Sequence, residues 1–247
     1  MPSFFRKKNS KTVADFSGLS VDMHSHLIPG IDDGAPDMAT SLMLIRGLID
    51  LGYKKIITTP HIYSDLYPNT PETIGTGFKA VTAELERQKI AVEFHAAAEY
   101  LMDDHFARAL DANETLLTVK DNLVLVELSF VVPSINLKEL LFKLQLNGYQ
   151  PILAHPERYL YFGANKGWYD QLRDAGCLFQ LNLLSLAGYY GKGPQELAEF
   201  LIKKKYVDIL GTDLHHDRHL ETLKNSSQIF NMVGKLLDSG LIRNTSL

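Results

Sequence analysis

Short runs of aliphatic and β-branched residues alternate with amphipathic stretches of helical period along nearly the whole chain. The runs predict strands over residues 19–23, 55–59, 91–98, 123–128, 151–154, 178–181 and 207–210. The helical period predicts helices over 38–51, 73–88, 137–147, 166–175, 194–204 and 219–237. In the first of these, Leu42, Ile45, Leu48 and Ile49 share a face. Gly52, Gly148 and Gly176 stand where a helix must stop before the next strand begins. Seven strands, each followed by helix or loop, point to an α/β fold whose parallel sheet wraps into a barrel. An open dinucleotide-binding sheet is disfavoured, because the first strand–helix turn lacks a glycine-rich phosphate loop. Residues 1–18 read as a basic tail and 19–247 as a single domain, with no repeat, low-complexity segment or linker.

Composition narrows the classes. The 247 residues are 45% hydrophobic and 22% charged, enough to bury a full core without staples. A net charge of −4 gives no footprint for bulk nucleic-acid binding. The single cysteine, Cys177, excludes an intrachain disulfide framework and fits a reducing compartment. The start, MPSFFRKKNSK, is basic, yet no signal-length apolar run follows it and no 18-residue apolar stretch occurs. A cytoplasmic protein without a transmembrane segment is expected. Arg6, Lys7, Lys8 and Lys11 read as a solvated tail; the alternative is attraction to an anionic membrane, with Phe4 and Phe5 as wedges.

Chemistry gathers at the strand ends. The first strand ends in His24-Ser25-His26, the second in TTPHIYSD with His61, the third in AAAEY with Glu99 and the fourth in VLVELSF with Glu127. The fifth ends in LAHPERY with His155, Glu157 and Arg158, and the sixth in LNLLSL with Asn182. The seventh supplies Asp213, His215 and His216 in GTDLHH. In a barrel these ends form one rim. Side chains at i and i+2 of a strand share a face, so His24 and His26 can grip one ion, and Asp213 with His215 repeat that geometry. Imidazole with carboxylate suits manganese, iron, zinc or cobalt, and the want of thiolates argues against a soft-metal or structural zinc site. The donors exceed the needs of one ion, so two or three are expected, with a carboxylate such as Glu99 bridging.

Three divalent ions bring roughly +6, against about −3 from Glu99, Glu127 and Asp213 and one more from a bridging hydroxide. That surplus, with Arg158 three positions after His155, favours a phosphate dianion. Arg218 is a second candidate clamp; a surface salt bridge is the plainer reading of either arginine. Asp32 and Asp33 either form a turn with Gly34 or place Asp33 at the site, where Pro29 and Gly30 would turn the chain back across the rim. His105 and His219 read as structural or solvated, His95 on the third strand as a satisfied interior group, His216 as outlying, Glu157 as a partner of Arg158, and Cys177 as core. Tyr63, Tyr67, Tyr159, Tyr161, Tyr189 and Tyr190 flank the rim as an aromatic wall or as packing.

In order and spacing, DMHSHLIPGIDDG, TTPH, AAAEY, VELSF, AHPERY, LNLLSLAGYYG and GTDLH resemble the polymerase and histidinol phosphatase (PHP) superfamily over residues 19–220. Within it the chain is most similar to bacterial metal-dependent tyrosine-protein phosphatases of capsule and exopolysaccharide loci. The resemblance implies a distorted, TIM-like (β/α)7 barrel with its metal site at the C-terminal rim of the strands, holding up to three ions, often manganese. It implies metal ligation by His24, His26, His61, Glu99, Glu127, His155, Asp213 and His215, with Asp33 as a site aspartate and Arg158 binding phosphate. It also implies dephosphorylation of tyrosines on the tail of a cognate bacterial tyrosine kinase; the residues themselves suggest the mechanism, in-line attack of a metal-activated hydroxide on phosphorus. Where the family often has an asparagine after the last histidine, His216 stands here, with Arg218 two residues on. The rivals are a histidinol-phosphate-like small-molecule phosphatase, a non-catalytic metal-binding regulatory domain, and an amidohydrolase. The last commonly carries a lysine where this chain has Glu127. A cysteine-based phosphatase is excluded, since the position six after Cys177 is Leu183 rather than arginine.

Overall fold

A computed structural model describes residues 15–247. The basic tail lies outside the described residues, apart from 15–18. The chain opens with β1 (Val21–Asp22), α1 (Met38–Asp50), β2 (Lys55–Thr58), β3 (His61–Ile62) and α2 (Pro71–Arg87). It continues through β4 (Glu93–Ala96), β5 (Glu99–Leu101), α3 (Asp104–Asp111), β6 (Leu123–Glu127) and α4 (Leu137–Leu146). Then come β7 (Gln150–Ala154), α5 (Tyr161–Ala164), α6 (Gly167–Asp174), β8 (Leu178–Asn182) and α7 (Lys192–Lys203). The last elements are β9 (Ile209–Gly211), α8 (Asp217–Asn225) and α9 (Ser227–Asp238).

Among the described residues each pair of these strands is parallel, but in two sheets rather than one. One sheet is ordered β1-β2-β4 and the other β3-β5-β6-β7-β8-β9. The division falls inside two strands that the sequence reads as single. Pro60 has no N–H to give a ladder, so the run through residue 59 is cut between β2 and β3. Beside it the third run breaks between Ala96 and Glu99, and only single bonds such as Ala97 N to Thr58 O (2.8 Å) carry the pairing across. Between β1 and β9 the sheets meet again at one parallel bridge, Ser25 to Leu214. Asp213 N donates to His24 O at 2.7 Å and His26 N to Leu214 O at 2.9 Å on either side of it. The core is correspondingly double. An inner cluster including Val21, Met23, Ile57, Leu125, Ile152 and Ile209 lies apart from the larger apolar layer between strands and helices.

Caps explain where helix boundaries depart from the pattern. Thr70 and Thr73 form a reciprocal cap with Pro71 in the first turn, so α2 starts before residue 73. The expected helix over 219–237 is two, because the Ser226 side chain accepts from Ile229 N at 3.3 Å and starts α9 afresh. The eight residues of α3, capped by Asp103, are too few to declare themselves by period alone. Among the described residues no helix is long and apolar enough to cross a membrane.

One buried pair pins the seam between first and last strands. Asp22 is fully buried, and its two oxygens accept from Thr212 N and Thr212 Oγ1, both at 3.0 Å. Burial pushes its carboxyl up to about 6 despite these bonds. Thr212→Val would remove the hydroxyl donor at nearly constant volume and leave a buried oxygen unpaired. A stability loss of about 1–3 kcal/mol is expected in urea unfolding of the metal-free protein; no loss would show that the seam does not depend on this pair.

Candidate metal centre

The ends of β1, β3, β5, β6, β7 and β9 deliver the expected donors to one place. At the middle is Glu99, fully buried at the start of β5. Its Oε2 lies 3.1 Å from His24 Nε2, 3.2 Å from His61 Nδ1 and 3.5 Å from His26 Nε2. Its Oε1 lies 3.0 Å from His155 Nε2. Glu127 Oε1 reaches His61 Nδ1 at 3.0 Å, and Asp213 Oδ1 lies 3.4 Å from both His24 Nε2 and His215 Nδ1. Asp33, half exposed, stands at the outer edge with Oδ1 3.5 Å from His61 Nε2 and 3.4 Å from His215 Nε2. All eight expected ligands and Asp33 thus fall into four overlapping donor groups.

The loop after β1 reaches the rim by a close fold-back. Gly30 takes a left-handed φ of 71°, and Ala35 N donates to His26 O at 3.0 Å. A Cβ on Gly34 would stand 2.2 Å from His26 O, so only glycine lets the loop lie against the strand. Asp32, read from sequence as a turn former, does form one, since its Oδ1 accepts from Gly34 N at 3.0 Å. Its other oxygen faces His26 Nδ1 at 2.8 Å, a role the sequence reading missed.

That contact belongs to a set that orients the imidazoles. In the neutral ring, an Nδ1–H donating from His26 to Asp32 turns the Nε2 lone pair to the cluster, where an ion would replace the proton. Gln180 does the same for His24, its Oε1 lying 2.7 Å from His24 Nδ1. His215 Nδ1 lies 2.9 Å from Asp213 O, which turns its Nε2 toward Asp33. His26 Nε2 and His61 Nδ1 are buried with no hydrogen-bond partner among the described residues. Nitrogens and carboxylate oxygens without thiolate, aimed together into one buried pocket, fit a divalent cation.

Without an ion the donors bear on one another's charge instead. Burial alone would raise Glu99 and Asp213, but the surrounding imidazoles, with Arg158 beside Asp213, hold both well below the carboxylate range. Burial would lower His24, yet Glu99 and Asp213 raise it to about 9, and Asp32 and Glu99 likewise raise His26. His155 goes the other way, lowered by burial and by Arg158. The backbone is strained at two of these residues, since His155 (φ 33°) and Asp213 (φ 50°) are left-handed without being glycine. Such residues cost about 1–3 kcal/mol each and persist where the surroundings fix them.

The cluster opens into a cleft of about 250 Å³ whose wall includes Phe130, Arg158, Tyr190, His216 and His219. Arg158 Nη1 donates to Asp213 Oδ2 at 2.8 Å, and Asn182 Nδ2 donates to the same oxygen at 2.8 Å. The guanidinium lies 4.7 Å from the Phe130 ring and 4.2 Å from the Tyr190 ring, sandwiched between them.

Some expectations need correction. Arg218 is exposed near the start of α8 and is not among the residues lining the cleft, where Arg158 is the one guanidinium among the described residues. Glu157 does not pair with Arg158: it is buried and accepts from Asn182 N (3.0 Å) and Ser185 Oγ (2.7 Å). His219, read as structural or solvated, does line the cleft, with the His216 ring tilted against it at 3.9 Å. His95 is not the interior group expected: it is half exposed beside Glu93, whereas His105 is exposed on α3 as a solvated group would be. Of the tyrosines, Tyr67 stacks on the His61 ring at 5.4 Å and Tyr190 on Arg158, while Tyr159 is fully buried.

Residues 20–239 match the family model described as capsular polysaccharide synthesis, CpsB/CapC. The chain is 29% identical over 197 residues to tyrosine-protein phosphatase YwqE of Bacillus subtilis, covering 79% of this chain and 77% of that one. It is 24% identical over 203 residues to tyrosine-protein phosphatase CpsB of Streptococcus pneumoniae, covering 79% and 83%. A chain from the crystal structures of YwqE and CpsB, described as unique metal-dependent tyrosine phosphatases, superposes with a TM-score of 0.74 at 27% identity. That match covers 91% of this chain and 94% of the other.

The orienting contacts are testable by themselves. Gln180→Ala and Asp32→Ala should each weaken divalent-ion affinity about 10–100-fold, read by competition with a chromophoric chelator. Unchanged affinity in both would mean that these contacts do not govern the donors.

Proposed function

Because the chain belongs to the capsular polysaccharide synthesis CpsB/CapC family, we propose that it is a metal-dependent protein-tyrosine phosphatase and that the buried histidine–carboxylate cluster is its catalytic centre. It is then a phosphoric monoester hydrolase, as the YwqE and CpsB phosphatases it resembles are by name. The observation that carries the reading is Arg158, a guanidinium held between two aromatic rings at the mouth of a donor cluster suited to divalent ions. A cation site opening beside a fixed arginine is complementary to a phosphate dianion.

His24, His26, His61, Glu99, Glu127, His155, Asp213 and His215 would hold two or three ions, with manganese the first candidate and Asp33 at the outer edge. Ions there would supply charge neutralisation and an acidified water at neutral pH. The chain's own groups do the rest. Asp213, itself held by Asn182, anchors Arg158 while the Phe130 and Tyr190 rings lie against its guanidinium, so a fixed cation stands where phosphoryl oxygens would gather charge. Tyrosine's phenolate, with an ordinary pKa near 10, departs more readily than an alkoxide, so a dedicated acid is less necessary than it would be for phosphoserine. Cys177 takes no part: it is buried, and burial pushes its thiol up to about 12. The substrate is a tyrosine-phosphorylated protein in the cytoplasm, with the tail of a capsule-locus tyrosine kinase as first candidate. The frame for this chemistry is a distorted (β/α)7 barrel; the Ser25–Leu214 bridge and the inner apolar cluster support that reading.

Turnover of a phosphotyrosine peptide and of p-nitrophenyl phosphate, measured with manganese supplied, tests this directly. Both are expected, both should vanish with chelator and return with metal, and histidinol phosphate should be a poor substrate. Arg158→Ala should lower kcat/KM about 10²–10³-fold, whereas Cys177→Ala should leave it unchanged. Manganese-loaded protein that turns over neither phosphotyrosine peptide nor p-nitrophenyl phosphate would sink the proposal.

A further inference from the structure

The loop between β6 and α4 exposes apolar side chains beside the cleft. Val131 is 87%, Ile135 101% and Val132 60% exposed, with Phe130 at 48%. Four large apolar groups within six positions facing water form the kind of surface that marks an interaction site.

The loop is nonetheless shaped. Tyr161 donates its hydroxyl to Ser129 O at 3.0 Å, and Ser129 Oγ accepts from Val131 N at 3.2 Å. Ser134 Oγ accepts from Asn136 N at 3.4 Å, and Pro133 confines Val132 to extended backbone. The apolar side chains are thus presented outward by a backbone secured from beneath. The loop starts two residues past Glu127, and Phe130 both lines the cleft and covers Arg158. Beyond His61, whose ring carries Tyr67, Leu66 is 64% exposed.

We propose that residues 131–135 are a docking surface for aliphatic or aromatic residues flanking the phosphotyrosine of a protein substrate. This rests on the phosphatase reading above. With its phosphate at Arg158, a phosphotyrosine fills the cleft and leaves its main chain at the mouth. Each further residue carries the chain at most about 3.3–3.6 Å, so positions within three of the tyrosine cross the rim where Val131, Val132 and Ile135 stand. The surface is continuous with the cleft through Phe130, which favours the substrate itself as the occupant.

The test uses metal-loaded enzyme and a series of phosphotyrosine peptides with leucine at one of three positions on either side, against an all-serine peptide. The wild type should prefer at least one leucine peptide by about tenfold in kcat/KM. A V131S/V132S/I135S variant should lose that preference while keeping p-nitrophenyl phosphate turnover, and Ile135→Ser alone, at a fully exposed position, should lose part of it. Equal turnover of all peptides by the wild type, or a preference that survives the triple substitution, would overturn the docking role while leaving the phosphatase reading intact. A matching loss on p-nitrophenyl phosphate in both variants would also overturn it, placing the loop in catalysis. Loss of binding to anionic vesicles with peptide preference unchanged would assign the loop to a membrane instead. Failure of the wild type on every phosphotyrosine peptide would remove both proposals together.

Discussion

A carboxylate sealed from water survives only among positive or hydrogen-donating neighbours, and Glu99 sits under that constraint. It is fully buried at a strand end, with imidazole nitrogens of His24, His61 and His155 within 3.2 Å. Remove the imidazoles and the ionised form becomes untenable; remove the carboxylate and several histidines face one another with nothing between them. The arrangement is mutual, and it requires six strand ends to arrive in register. The parallel sheets, the inner apolar cluster and the fold-back after β1 all serve that arrival.

The scaffold accepts local cost to keep the cluster in place. His155 and Asp213 leave their strands in left-handed backbone, which re-aims each side chain inward as the chain turns toward a helix. A second ring of contacts then limits rotation: Gln180 behind His24, Asp32 behind His26, and Asn182 beside Asp213. The low local dielectric strengthens each of these bonds and raises the penalty for losing one. Arg158 belongs to the same logic on the outer side, with aromatic faces in place of further carboxylates.

Much of this was legible in the chain. The H-x-H after an apolar run, the isolated glutamates Glu99 and Glu127 ending two others, and the D-x-H near residue 213 each mark a strand exit where polar groups have no structural reason to cluster. The orienting groups were harder. Gln180 and Asn182 stand two apart in the apolar strand LFQLN, the same alternation as His24 and His26, and that parity was the available signal. Asp32 was hidden because a turn former and a histidine partner look alike in sequence. Arg218 was misplaced by counting along the chain, where the actual determinant is that α8 begins at Asp217 and carries it outward. The two-sheet division turned on Pro60, whose missing donor matters more than the β-character of its neighbours.

The seam between the first and last strands has a further implication. Asp22 and Thr212 are 190 positions apart, and the ligands on each side of their contact come from those same two segments. Closing a loop of that length carries an entropic cost on the order of 5 kcal/mol. During synthesis, then, a growing polypeptide has no complete centre until the segment around Asp213 has emerged. An abortive or truncated product would carry His24 and His26 yet lack their opposite wall. The full donor set would therefore come together only late, when the segment around Asp213 closes against the first strand.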